Sequence, residues 1–159
     1  MSDDAPLLIA YDGSDAARQA IHQAAGLLSS RPVLVATVWE PGLAYSATTM
    51  PAPGMELQPN PIDVAEAQEL GQEIEIHARR TAEEGAELAR SAGLQAEALA
   101  VPDEVHVADA IVDLARERNA AAIVIGSRGL TGLRARLEGS TSNAVLKRAP
   151  CPVVVIHAD

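Results

Sequence analysis

Apolar positions along the chain follow two rhythms. Short, near-continuous apolar runs at Leu7 to Tyr11, Val33 to Trp39, Ala121 to Gly126 and Pro152 to His157 predict buried strands. A weaker and more polar run, Gln95 to Ala100, predicts a further strand at a sheet edge. Between the runs the spacing becomes helical. Ala17, Ala20, Ile21, Ala24 and Leu28 form one face after Asp12-Gly13-Ser14-Asp15, where Ser14 or Asp15 can cap a helix. Leu70, Ile74, Ala78 and Leu88 mark a stripe on a helix from about Val64 to Ala92, which Gly93 ends. Val107, Ala110, Ile111, Leu114 and Ala115 mark a third helix, and Gly139 or Ser140 to Arg148 a fourth.

The order βαβαβαβαβ predicts an α/β fold with a parallel sheet covered on both faces. Right-handed crossovers leave two strand orders open, a flavodoxin-like 2-1-3-4-5 and a Rossmann-like 3-2-1-4-5. In the second, strands one and four are neighbours and the order reverses between them. A ligand crevice then opens beyond their carboxyl ends, with Asp12 and Gly126 as its lips. Residues 40–63 break the rhythm. They hold Pro41, Pro51, Pro53, Pro59 and Pro61 among small polar residues, and predict a long loop that is either a lid or disordered.

The length of 159 residues suits one domain, 1–159, with that loop inside it. Aromatic residues make up only 2 %, so the core must come from Ala, Val, Leu and Ile. A formal charge of −10 argues against a duplex nucleic-acid binder, which needs a basic face, but not against a small anion held by local donors. Cys151 is the single cysteine and excludes an internal disulfide. No apolar run is long enough to span a bilayer, and the acidic start lacks the pattern of a signal peptide. A cytoplasmic protein with no membrane partner is expected.

The densest chemistry lies in Gly126-x2-Gly129-x9-Gly139-Ser140. A buried strand, a glycine-rich loop and a hydroxyl-rich helix start form a phosphate-binding layout, because glycine admits an anion to backbone N–H groups and a helix N-terminus presents more of them. The hydroxyls of Ser127, Thr131, Ser140, Thr141 and Ser142 and the cations Arg128, Arg134 and Arg136 strengthen it. Glu138 opposes it. The plainer alternative is a loop that only turns the chain, just as Asp12-Gly13-Ser14 reads equally as a turn and helix cap.

This segment matches the G-x2-G-x9-G-[S/T] pattern of the ATP-binding branch of the universal stress protein family. The opening Leu7-Leu-Ile-Ala-Tyr-Asp-Gly-Ser and the closing Asn143-Ala-Val-Leu-Lys-Arg-Ala-Pro-Cys-Pro-Val-Val-Val-Ile also resemble that family. The resemblance implies a five-stranded parallel sheet of order 3-2-1-4-5 with helices on both faces, in the Rossmann-like manner of the adenine nucleotide alpha hydrolases. It implies bound ATP, with Mg2+ or Mn2+ and no assured metal ligand from the protein. The implied ligand set is Ala10, Asp12, Val38, Ile125, Gly126, Ser127, Arg128, Gly129, Gly139, Ser140, Thr141 and Ser142, with Asp12 near the nucleoside and the Val38 backbone at adenine. It also implies a homodimer through strand 153–157, whose exposed edge a second copy would pair.

No Walker A lysine motif, pyrophosphatase loop or receiver-type acidic pair is present. His22, His77, His106 and His157 are scattered without ligand spacing, Cys151 between two prolines reads as a packed residue, and no catalytic base or residue is assigned. The expectation is therefore a nucleotide-dependent stress-response or signalling homodimer with slow or absent hydrolysis. The rival expectations are a nucleotide-free interaction module of the same fold and a slow ATPase.

Overall fold

The structure, a computed structural model, describes residues 5–28, 31–41, 61–103, 106–126 and 140–157. In chain order these form β1 (Leu7–Ala10), α1 (Asp15–Leu27), β2 (Val33–Trp39), α2 (Pro61–Ser91), β3 (Ala96–Pro102), α3 (Val107–Glu117), β4 (Ala122–Gly126), α4 (Ser140–Arg148) and β5 (Val153–Ile156). The strands make one five-stranded sheet, ordered β3-β2-β1-β4-β5, and all pairs are parallel. Of the two orders the residues allowed, the Rossmann-like one is adopted. The predicted loop at 40–63 falls mainly on 42–60, outside the described residues.

Strand alternation divides the core into two layers. On one face Leu7, Ile9, Val33, Val35 and Val124 pack against Ala17, Ala20, Ile21 and Ala24 of α1 and Ala86 and Ala89 of α2. On the other, Leu8, Leu34, Ala36, Ile123 and Ile125 pack against Ile111, Val112 and Ala115 of α3 and Val145 of α4. Leu8, Ile9 and Ile123 are fully enclosed, and each such side chain stabilises by roughly 1.5–3 kcal/mol. The aliphatic core follows from the composition, except that Tyr11 belongs to it as well.

The sheet-facing stripe of α2 differs from the expected one. Of Leu70, Ile74, Ala78 and Leu88, Ala78 is buried and Leu88 packs half-buried against the core, and the helix meets the sheet chiefly through Gly85, Ala86 and Ala89. Small residues win here because the Tyr11 ring and Val35 already fill the space below. A Cβ on Gly85 would stand 2.7 Å from Tyr11 Cδ1 and 2.8 Å from Val35 Cγ1. At 31 residues α2 is about 46 Å long, twice the roughly 23 Å of β2. Its Thr81 lies against Gly13 at the crevice, so the part before Thr81 extends past the strand ends. The helix closes with Leu94 N–H donating to the Ala89 carbonyl and Gly93 N–H to that of Arg90, the paired bonds of a Schellman end.

Candidate functional site

The sheet order reverses between the paired strands β1 and β4, so their carboxyl ends mark the switch point beyond which ligands of such sheets bind. Pairing of β1 with β2 stops at Ala10↔Ala36, one residue earlier than the apolar pattern predicts, although β2 continues to Trp39 against β3. Tyr11 N–H still donates to the Ala36 carbonyl at 2.8 Å. The Tyr11 carbonyl then accepts the Thr37 hydroxyl at 2.8 Å, in a buried position.

The chain turns at once. Gly13 takes φ +79°, a left-handed conformation that costs glycine nothing. Ser14 N–H donates to Asp12 Oδ1 at 2.9 Å, and Ser14 Oγ accepts from Ala17 N–H at 3.2 Å as the cap of α1. Of the two predicted capping residues, Ser14 is the one used. Asp12 closes the turn and stands exposed at the crevice. It thus has a structural task that needs no ligand.

Gly126 ends β4 beneath the first turn of α1. A Cβ there would lie 3.0 Å from both the carbonyl carbon and oxygen of Ala16. A side chain at this position would press on the α1 backbone, so packing favours glycine here whether or not a ligand is bound. Ile125 is buried in the α3/α4 layer, and Ala10 and Val38 pack against that same layer. Ile125 in particular has only its backbone to offer a ligand.

Ser140 opens α4, with Thr141 and Ser142 half-buried in its first turn. That turn carries no acidic residue, while Lys147 and Arg148 occupy the last. Both choices suit the helix dipole and leave the N-terminus favourable to an anion. As the crossover from β4 to β5, α4 starts at the carboxyl end of the sheet. Ala10, Asp12, Val38, Ile125, Gly126 and the start of α4 are thus gathered at one end of the sheet. Ser127, Arg128, Gly129 and Gly139 lie outside the described residues, as do Thr131, Arg134, Arg136 and Glu138.

Three polar features at this end were not foreseen. Glu84 of α2 accepts from Arg18 Nη2 at 2.7 Å and from the Tyr11 hydroxyl at 3.4 Å, linking α1, α2 and the residue before Asp12. Burial chiefly, and then the Glu84 charge, hold the Tyr11 phenol above its ordinary pKa. Asp103 is buried just past β3, its N–H donating to the Trp39 carbonyl at 2.7 Å. Thr37 is the third; a lone hydroxyl within Val-Leu-Val-Ala-Thr-Val-Trp was the available signal.

His22, His77, His106 and His157 are exposed. Cys151 is half-buried, and burial raises its thiol pKa, opposite to what a nucleophile needs. Among the described residues no three His, Cys, Asp or Glu side chains gather into a metal site, and no helix is long and apolar enough to cross a membrane.

A family model of the universal stress proteins matches residues 5–157. The chain belongs to the universal stress protein family. Universal stress protein YxiE of Bacillus subtilis is 29% identical over 151 residues, 95% of this chain and 97% of that one. UspA of Lactobacillus plantarum superposes with a TM-score of 0.71 at 19% identity, covering 98% of this chain and 99% of the other, and shares the fold. The universal stress protein of Archaeoglobus fulgidus, in a structure holding dAMP, has a TM-score of 0.60 at 26% identity, covering 98% and 99%.

Proposed function

We propose that this universal stress protein binds an adenine nucleotide, ATP, in the crevice between β1 and β4. Nucleotide occupancy would serve as its signal in a cytoplasmic stress response, with hydrolysis slow or absent. The observation that carries the proposal is the convergence of an exposed Asp12, a glycine ending β4 and an acid-free N-terminus of α4 at the point where strand order reverses. The sequence spacing Gly126-x2-Gly129-x9-Gly139-Ser140 joins the last two. The dAMP held by the Archaeoglobus fulgidus relative supports the ligand class.

In this reading Asp12 and the Val38 backbone face the nucleoside, with Ala10 and Ile125 flanking them. Gly126, Ser127, Arg128, Gly129, Gly139, Ser140, Thr141 and Ser142 hold ribose and phosphates. Mg2+ or Mn2+ is carried by the phosphates rather than by a protein cluster. The chain acts as a single domain over 1–159 and as a homodimer, two copies pairing along β5, whose outer edge has no neighbour among the described strands.

Isothermal titration of the purified protein with ATP, with and without Mg2+ or Mn2+, is the direct test. Saturable binding, or ATP found by mass spectrometry in gently purified protein, is the expected result; a folded protein that binds none sinks the proposal. A second reading, a nucleotide-free dimeric module, is favoured by the packing of Gly126 under Ala16, which explains that glycine without a ligand. A slow ATPase is the third, and turnover above about one per second would turn the assignment to an enzyme.

A further inference from the structure

We infer that Thr37 is the positioning residue of this crevice, its hydroxyl ending the β1–β2 ladder so that Asp12 and the Val38 backbone face one ligand. The inference rests on the proposed nucleotide site and names a residue outside its contact set. In a parallel ladder one residue donates to the partner strand and accepts from it two residues further on. Tyr11 N–H donates to the Ala36 carbonyl, so the next rung would bring Val38 N–H to the Tyr11 carbonyl. Among the described residues that backbone bond is not made, and pairing ends at Ala10↔Ala36. The Thr37 hydroxyl takes the carbonyl instead, at 2.8 Å.

Three consequences follow from this one bond. The Tyr11 carbonyl is satisfied inside the protein without extending the sheet. The Val38 N–H is released from β1 at the strand end, where a ligand acceptor can take it. And Tyr11 is held at its N–H, its carbonyl and its ring, the last against Gly85, so the Asp12 turn starts from a fixed point. The ligand this arrangement suits is a planar base whose edge both donates and accepts, read by backbone and carboxylate together.

The test compares wild-type protein with Thr37→Val and Thr37→Ser. Valine keeps the shape and lets the ladder close by one rung; serine keeps the hydroxyl. We expect Thr37→Val to weaken ATP binding by about tenfold or more, and Thr37→Ser to stay within about threefold, with the nucleotide-free proteins melting alike. Amide hydrogen exchange on nucleotide-free wild-type protein supplies an arm that needs no variant. Val38 N–H should exchange faster than Ala36 N–H, and should slow in Thr37→Val or on adding ATP to wild type. Equal ATP affinity of wild type and Thr37→Val, or a Val38 amide as protected as that of Ala36 in wild type, overturns the inference. A wild-type protein that binds no adenine nucleotide removes the proposed function instead, and the exchange comparison still decides the ladder.

Discussion

Gly126 and Ala16 meet so closely that a methyl group on the first would stand 3.0 Å from the backbone carbonyl of the second. This contact locks the end of β4 to the first turn of α1, and α1 begins at the turn that holds Asp12. The two lips of the crevice are one packed unit.

Gly126→Ala should therefore destabilise the protein whether or not it binds a ligand. The obstacle is backbone, which cannot rotate away, so a cost of about 1–3 kcal/mol is expected from overpacking. Urea unfolding of nucleotide-free protein measures it. A stability equal to wild type would mean that α1 shifts freely, and that Gly126 is kept for the crevice alone.

Gly85→Ala sets two effects against each other. Alanine gains about 1 kcal/mol in a helix interior. Its methyl would press on Tyr11 and Val35 at under 3.0 Å, both buried, and overpacking costs about 1–3 kcal/mol. The clash should win, giving a net loss near 1 kcal/mol. In the double variant with Tyr11→Leu the cost should fall well short of the sum, because the ring is the main obstacle.

These contacts mark where the sequence stopped being readable. Strand and helix identities, the parallel sheet and the caging of Ile21, Ile123 and Val124 follow from periodicity alone. The α2 stripe did so only in part, with Ala78 and Leu88 on the packed side, because hydrophobic periodicity weights Leu and Ile above Ala and Gly, while the sheet-facing side needed small residues. Tyr11 ended β1 one residue early through a side-chain bond from another strand, which no local pattern encodes. At the site, Asp12 and Gly126 do stand at the carboxyl ends of β1 and β4, where the sheet order reverses. What sequence could not separate was their packing from their chemistry, since the same two residues perform a turn and a close approach.

Alkaline pH should lower the stability of the protein progressively, with a thiol part and a phenol part. Burial raises the pKa of Cys151 above its ordinary value, and burial with Glu84 raises that of Tyr11. A group held more tightly protonated in the folded state stabilises it fully below the unfolded pKa. That stability is lost as pH rises, beginning near pH 9 for the thiol and near pH 10 for the phenol. Cys151→Ala should flatten the first part of the decline and Tyr11→Phe the second, read from urea midpoints across pH 8 to about 11. The exposed Arg18–Glu84 pair should add little, about 0–1 kcal/mol, but Arg18 itself lowers the Tyr11 pKa, so Arg18→Ala should leave the first part in place and carry the second to higher pH.

The proposed dimer can be tested through one backbone atom. Ile123 N–H donates to the Pro152 carbonyl in a register that pairs Ile123 with Val153. By parallel alternation Val154 N–H points to β4, and Val153 and Val155 N–H point to the outer edge. Val155→Pro removes an outward donor and leaves the β4 ladder intact. Analytical ultracentrifugation should show a folded monomer. A variant that remains dimeric places the interface elsewhere.

Asp12 separates the turn from the ligand by its choice of replacement. Its Oδ1 accepts Ser14 N–H, a task an amide oxygen performs equally well. Asp12→Asn should keep stability to within about 0.5 kcal/mol, whereas Asp12→Ala loses the turn bond and about 1 kcal/mol. If the exposed carboxylate also reads a nucleoside donor, Asp12→Asn should lose ATP affinity about tenfold at unchanged stability, since the charge-assisted bond is gone. Should Asn bind ATP as wild type does and only Ala fail, Asp12 shapes the crevice without touching what it holds. The pair of variants, measured by calorimetry for binding and urea for stability, assigns the residue to one role or to both.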